Sequence, residues 1–204
     1  VAAGEAGLLV FDASNPRAVI ALGALDTEGS AEAVVVVGTR AFVADGLSGL
    51  LVVDIANPAA PAALGSFDTT GNALALAVQG DLVYVADDAR GMRVIDASNP
   101  TAPTQLGFYD TPGRSFGIAV EGSVAYVADY LRGVQLVDIE NPRRPTLLSN
   151  LDTLGRSVGL ALSGSELFVA DDFNGVVILD VADSRAPRVL GQVALPGNAL
   201  GVRL

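Results

Sequence analysis

One spacing constrains this chain more than anything else in it. Asp12, Asp54, Asp96, Asp138 and Asp180 lie 42 residues apart, and each closes an apolar run: LLVFD, LLVVD, MRVID, VQLVD and VVILD. Three residues on stand Asn15, Asn57, Asn99 and Asn141, with Asp183 in the fifth copy, and Pro16, Pro58, Pro100 and Pro142 follow. Pro61, Pro103, Pro145 and Pro187 keep the same step, as do two glycine series, Gly29 to Gly197 and Gly7 to Gly175. A fixed period of this length means one supersecondary unit repeated, each unit burying its apolar face on its neighbours.

Each copy reads as four short β runs. In the second copy they are Glu32 to Val37, Ala41 to Asp45, Leu50 to Asp54 and Ala62 to Phe67, separated by Gly-, Asn- and Pro-rich breaks. The Ala-rich windows are too short and too β-branched for helices. Four antiparallel strands repeated at about 40 to 50 residues describe propeller blades. Small apolar first strands such as ALALAV, FGIAV and VGLAL suit blades converging on an axis. A parallel β-solenoid competes, but its coils are shorter than this unit.

The expected fold is therefore all-β, a five-bladed propeller in one domain spanning residues 1–204. The blade units run 198–204 plus 1–25, then 30–67, 72–109, 114–151 and 156–193. Five full copies need six residues more than the 204 present, and the missing piece corresponds to Val37 to Phe42. The first blade is thus expected to combine both ends of the chain, with N- and C-terminal strands pairing and removing exposed edges.

The strand, Asp and Asn-Pro spacing of LLVVD-x-x-NP, MRVID-x-x-NP and VQLVD-x-x-NP resembles the LVIVD repeat family. The fifth copy departs, with Asp183-Ser184 in place of Asn-Pro. The resemblance implies a β-propeller from a bacterial or archaeal cell-surface protein, and so an extracellular or cell-envelope location. It supplies no catalytic residues.

Composition removes several chemistries. The chain has no Cys and no His, and all 12 basic residues are Arg. Thiol nucleophiles, imidazole relays and Lys Schiff bases are therefore absent. A net charge of −11 disfavours nucleic acid and anionic membrane surfaces as partners, and no apolar run approaches a membrane span.

The five strand-ending Asp residues read as Asx-type turn formers, and the Asp of the D-T-x-G stretches (Asp26, Asp68, Asp110, Asp152) reads as structural too. A third series, Asp45, Asp87, Asp129 and Asp171, ends the second strand. Asp87-Asp88 and Asp171-Asp172 are carboxylate pairs of the type that bind Ca²⁺, yet no calcium motif surrounds them, and no metal or cofactor is expected.

Binding in a repeat protein lives where the copies differ. Two loop series share one face: Ser30, Asn72, Arg114, Arg156, Asn198 and Ala6, Ser48, Arg90, Arg132, Asn174. Both place Arg on the third and fourth copies, beside Tyr130 and Phe173. The candidate ligand-binding set is Arg90, Arg114, Arg132, Arg156, Tyr130 and Phe173, with no catalytic residue assigned. These Arg residues suit an anion; alternatively they pair with nearby Asp residues and only balance charge. The expected function is a noncatalytic interaction module, monomeric, contacting a protein or glycan. The alternative is a small-ligand binder or enzyme with an Arg-lined mouth, in which Asp87, Asp129 or Tyr130 would act as acid or base if burial shifted their pKa values.

Overall fold

A computed structural model describes residues 1–204 and contains strands and turns but no helix. The strands fall into five blades. The first holds β1 (Leu8–Asp12) and β2 (Ile20–Leu25). The second holds β3 (Ala33–Val37), β4 (Arg40–Ala44), β5 (Leu50–Asp54) and β6 (Ala62–Phe67). The third holds β7 (Ala75–Gln79), β8 (Leu82–Ala86), β9 (Met92–Asp96) and β10 (Thr104–Tyr109). The fourth holds β11 (Gly117–Glu121), β12 (Val124–Ala128), β13 (Val134–Asp138) and β14 (Thr146–Leu151). The fifth holds β15 (Gly159–Ser163), β16 (Glu166–Ala170), β17 (Val176–Asp180) and β18 (Arg188–Val193). Blades two to five are four-stranded antiparallel meanders, so the fold is the expected propeller.

Burial explains the sequence of each strand type. The second and third strands lie between neighbouring blades and are covered on both sides, so LLVVD and LVYVA are continuous apolar runs rather than alternating ones. The outermost strands are half solvated and carry polar residues, as in TQLGFY. The innermost strands line a central cavity of about 560 Å³, where small residues such as Ala33, Ala75, Gly117 and Gly159 let the blades converge.

Four hydrophobic clusters join successive blades. Leu8 meets Ala41, Val43 and Val53 between the first and second blades. Leu50 and Val52 meet Val83 and Ile95 between the second and third. Met92 and Val94 meet Val127 and Val137 next, and Val134 and Leu136 meet Val169 and Leu179 last. At the rim, Gly23, Gly65 and Gly107 each face the backbone of the following blade: a Cβ there would collide with the carbonyl of Pro58, Pro100 or Pro142. Ser149 replaces glycine at the fourth such position and donates a hydrogen bond to the Ser184 carbonyl, 2.6 Å.

The first blade pairs only β1 with β2, and the two ends of the chain are each held by their own neighbour. Ala2 bridges Leu8, and the Val1 ammonium donates to the Leu9 carbonyl at 2.6 Å. Ala199 bridges Asp172, and Gly201 to Leu204 line the central cavity in the innermost position beside β15. The repeat step sets Gly201 opposite Ala2 and Val202 opposite Val1, leaving only two residue pairs, and no backbone hydrogen bond joins these ends.

The five strand-ending Asp residues make the expected turns. The Oδ1 atoms of Asp12, Asp54, Asp96, Asp138 and Asp180 accept the amides of Ser14, Ala56, Ser98, Glu140 and Ala182 at 2.8–3.0 Å. These bonds stabilise the charged carboxylate, and the Asp12 and Asp180 pKa values lie below the usual range on their account.

Candidate functional site

The loops between second and third strands and the loops between blades share one face at the mouth of the cavity. An Asp-Thr clasp ties them together in each of blades two to five. Thr27, Thr69, Thr111 and Thr153 donate their hydroxyls to Asp45, Asp87, Asp129 and Asp171 at 2.5–2.6 Å. These carboxylates are buried. Asp87 and Asp129 therefore sit beneath the loops, each holding a threonine hydroxyl.

The clasps are not identical, and the D-T-x-G residue x decides how. Where x is Glu28 or Pro112, the amide of Gly29 or Gly113 donates to the second oxygen of Asp45 or Asp129, 2.9 and 3.0 Å. Where x is Thr70 or Leu154, the backbone takes a left-handed φ of 63° or 64° and Gly71 or Gly155 makes no such bond. Asn174 Nδ2 compensates at Asp171, 3.2 Å. Asp87 Oδ2 has no hydrogen-bond partner, only Arg93 Nε at 3.6 Å. Burial accordingly pushes the Asp87 pKa up to about 6, against the opposing pull of Thr69 and Arg93. Burial also raises Asp129, where Thr111 and Gly113 oppose the shift.

Above the clasps lies a ladder of alternating cations and rings. The Arg114 guanidinium stands 5.1 Å from the Phe116 ring centre, and Phe116 lies 5.1 Å from Tyr130 at an interplanar angle of 33°. Arg156 then lies over Tyr130 at 5.5 Å and over Phe173 at 5.7 Å. Acids grip both cations: Arg114 makes a bidentate pair with Asp88, 2.5 and 2.9 Å, and Arg156 reaches Asp172 at 3.3 Å. Asp88 raises the Arg114 pKa further. The Asp88 and Asp172 carboxylates, offered by the sequence as halves of Ca²⁺ pairs, are thus turned toward arginine.

Backbone strain coincides with the ladder. The first residue of this loop is Gly4 or Gly46 in the first two copies, at φ 58° in each. In the next three it is Asp88, Tyr130 and Asp172, still left-handed at φ 49°, 54° and 52°. Aspartate tolerates this region better than most residues, but an aromatic side chain does not. A non-glycine residue pays about 1–2 kcal/mol there.

Of the six candidate residues, Arg114, Arg156, Tyr130 and Phe173 come together in one contiguous strip. Arg90 and Arg132 lie exposed on the adjoining loops, and neither makes an ion pair. Sequence reasoning missed Phe116, which stands where other copies have Glu32, Leu74 and Val158 and was hidden among residues expected to line the channel. It also missed Arg93, buried between Asp87, Asp110 at 2.9 Å and the Phe108 ring at 5.0 Å. The signal was present: Arg93 interrupts a series that elsewhere reads Leu9, Leu51, Gln135 and Val177.

The LVIVD repeat matches this chain four times, over residues 28–69, 70–111, 112–153 and 154–194. Comparison with curated proteins gave no match. Among solved structures, the computationally designed Ika8 protein is similar at a TM-score of 0.68 with 12% identity, over 88% of this chain and 54% of that one. This chain thus spans about half of its length. The computationally designed Ika4 protein is similar at a TM-score of 0.62 with 12% identity, over 76% of this chain and 92% of that one. At such identity the likeness concerns the fold alone.

Proposed function

The chain belongs to the LVIVD repeat family, and on that premise we propose that it is a noncatalytic binding module of a cell-surface or secreted protein. It contacts a protein or glycan through the ladder Arg114–Phe116–Tyr130–Arg156–Phe173 at the mouth of the cavity. The observation that carries this reading is Tyr130 in the left-handed region, where two sister copies use glycine. Strain kept at an aromatic residue, whose ring is partly exposed, supports selection for what the ring touches. Tyr and Arg are also enriched in binding hot spots and Phe in interface cores, and exposed Leu131 and Leu154 flank them.

The test is a glycan array and a random-peptide display selection, each run with wild type and with Tyr130→Gly. Tyr130→Gly keeps the backbone conformation and removes only the ring. Ligands selected by the wild type and lost by the variant support the reading. Ligands that bind both equally, or no enrichment in either format, would sink it.

A second reading, a small-anion site, draws on Arg90 and Arg132, the two exposed cations of this face without an acidic partner. Thermal-shift titration with inorganic phosphate separates the two readings: a shift lost in the Arg90→Ala/Arg132→Ala variant favours the anion, and its absence leaves the ladder.

A further inference from the structure

One slot recurs at the mouth face of the blades, and the copies fill it differently. In the third blade the chain fills it itself: Arg93 reaches Asp87 and Asp110, the Phe108 ring lies against its guanidinium, and Arg93 and Asp87 are both buried. In the fourth blade Gln135 is buried at the position of Arg93 and donates to the Arg132 carbonyl at 3.1 Å. In the fifth, Gln192 donates to the Asn174 carbonyl at 2.7 Å across the corresponding place. The second blade carries Ser48, Leu51, Ala63 and Ser66 where the third has Arg90, Arg93, Gln105 and Phe108. All four are smaller, and they line a cavity of about 260 Å³. The first blade is as small there, with Ala6, Leu9, Ala21 and Ala24, but has Ala3 in place of the aspartate. The second copy is the one that combines the space with the acid.

Three carboxylates line this cavity: Asp45, the counterpart of Asp87, with Asp26 and Glu28 from the loop between β2 and β3. Asp45 is buried and held by the Thr27 hydroxyl at 2.6 Å and the Gly29 amide at 2.9 Å, both neutral donors. None of the three makes an ion pair with an arginine, and the arginines of this face stand on the third and fourth copies. We propose that the cavity binds a guanidinium group carried by a ligand, in the place that Arg93 fills one blade on. A planar guanidinium presents paired donors that match carboxylates, and it is more weakly hydrated than an ammonium. Leu51 supplies apolar surface for the alkyl stem, as long cationic side chains lay their stems on such surface. The volume lies below the roughly 300–1,000 Å³ of pockets that enclose drug-sized ligands, so it suits one group of side-chain size. The cavity shares no residue with the ladder, and the site stands or falls independently of it.

An NMR titration of the isotope-labelled protein with butylguanidinium tests the site, with butylurea as the neutral isostere. Butylguanidinium is expected to shift the amide signals of Asp26 to Gly29 and Asp45 to Leu51 saturably, with a Kd of about 1 mM or below, the scale for so small a ligand. Butylurea at the same concentrations should shift none of them. The double variant Asp26→Asn/Glu28→Gln, at two exposed positions, should weaken binding roughly tenfold or more, because it removes charge and keeps shape. Leu51→Arg supplies the guanidinium from within the chain, as Arg93 does, and should abolish binding; if it misfolds, Ser66→Phe fills the same cavity in its place. No saturable shift with butylguanidinium overturns the proposal, as does an equal response to butylurea or binding that survives in both the acid-neutralised and the filled variants. An acetylated Gly-Arg-Gly amide, titrated in parallel, distinguishes the sources of the group. Tighter binding than butylguanidinium assigns it to an arginine of a protein partner, and equal or weaker binding assigns it to a free alkylguanidine.

Discussion

Thr70→Pro should stabilise the protein, and the reason lies in the difference between two loops of identical design. Thr70 holds φ at 63°, a conformation that costs a non-glycine residue about 1–2 kcal/mol. Its loop withholds the Gly71 amide from Asp87 Oδ2, a buried oxygen with no hydrogen-bond partner. The sister loop with Pro112 at the same place keeps the identical Thr–Asp clasp and delivers the Gly113 amide to Asp129 at 3.0 Å. Proline cannot adopt a positive φ, so the substitution forces the Pro112 geometry. It removes the strain and adds a bond to a carboxylate, about 1.5–3 kcal/mol. It forfeits the exposed Thr70 amide bond to Asp68, 2.7 Å, about 1 kcal/mol. The net gain is about 2 kcal/mol, or roughly 4–8 °C in Tm for a domain of this size.

The pH dependence sharpens the test. The folded-state pKa of Asp87 is raised from 3.8 to about 6, so between those values the folded state binds more protons than the unfolded one. Stability must then fall as pH rises through that window, by roughly 3 kcal/mol in all. Buried Asp129, also raised, adds a contribution of the same sign. In Thr70→Pro the new amide bond lowers the Asp87 pKa, and the slope between pH 4 and 6 flattens. Guanidinium unfolding at stepped pH reads both effects. A Thr70→Pro protein with unchanged or lower stability and the wild-type pH slope would refute the account of the clasp. Thr70→Gly is the control: it relieves the strain without forcing the switch, so it should gain only about 1 kcal/mol and keep the slope.

Arg93→Leu removes the cation nearest to Asp87 and should cost about 3 kcal/mol at pH 7, with a smaller loss at pH 5 where Asp87 is largely protonated; denaturant midpoints at the two pH values check it. Gly107→Ala drives a Cβ into the Pro142 carbonyl and should destabilise by at least about 2 kcal/mol. Gly191→Ala, facing open space, should change stability by less than about 0.5 kcal/mol. Tyr130→Gly trades the relief of about 1–2 kcal/mol of strain against the loss of about 1 kcal/mol of ring stacking. Its Tm should therefore hold or rise slightly while binding to array or display ligands disappears; a large destabilisation would show that the ring serves the fold.

The repeat alone was enough to determine the blades. A step of 42 residues, apolar runs on strands covered from both sides, and Asp, Asn and Gly at each break leave one architecture that buries every face. The turn role of the strand-ending Asp residues was legible for the same reason, since an Asx bond is local and spans two residues. Grouping Arg114, Arg156, Tyr130 and Phe173 on one sector was also legible, because equivalent positions in a repeat occupy equivalent places. Tertiary structure decided the rest, wherever the deciding partner lies far along the chain. That Arg114 is held by Asp88 depends on how neighbouring blades meet, and that Arg156 turns to Asp172 depends on how two loops of one blade approach. Phe116 joins the ladder through a contact with Tyr130 on the far side of a hairpin. Asp87 lacks a donor that Asp45 and Asp129 possess because of the φ of one residue, Thr70, in the neighbouring loop.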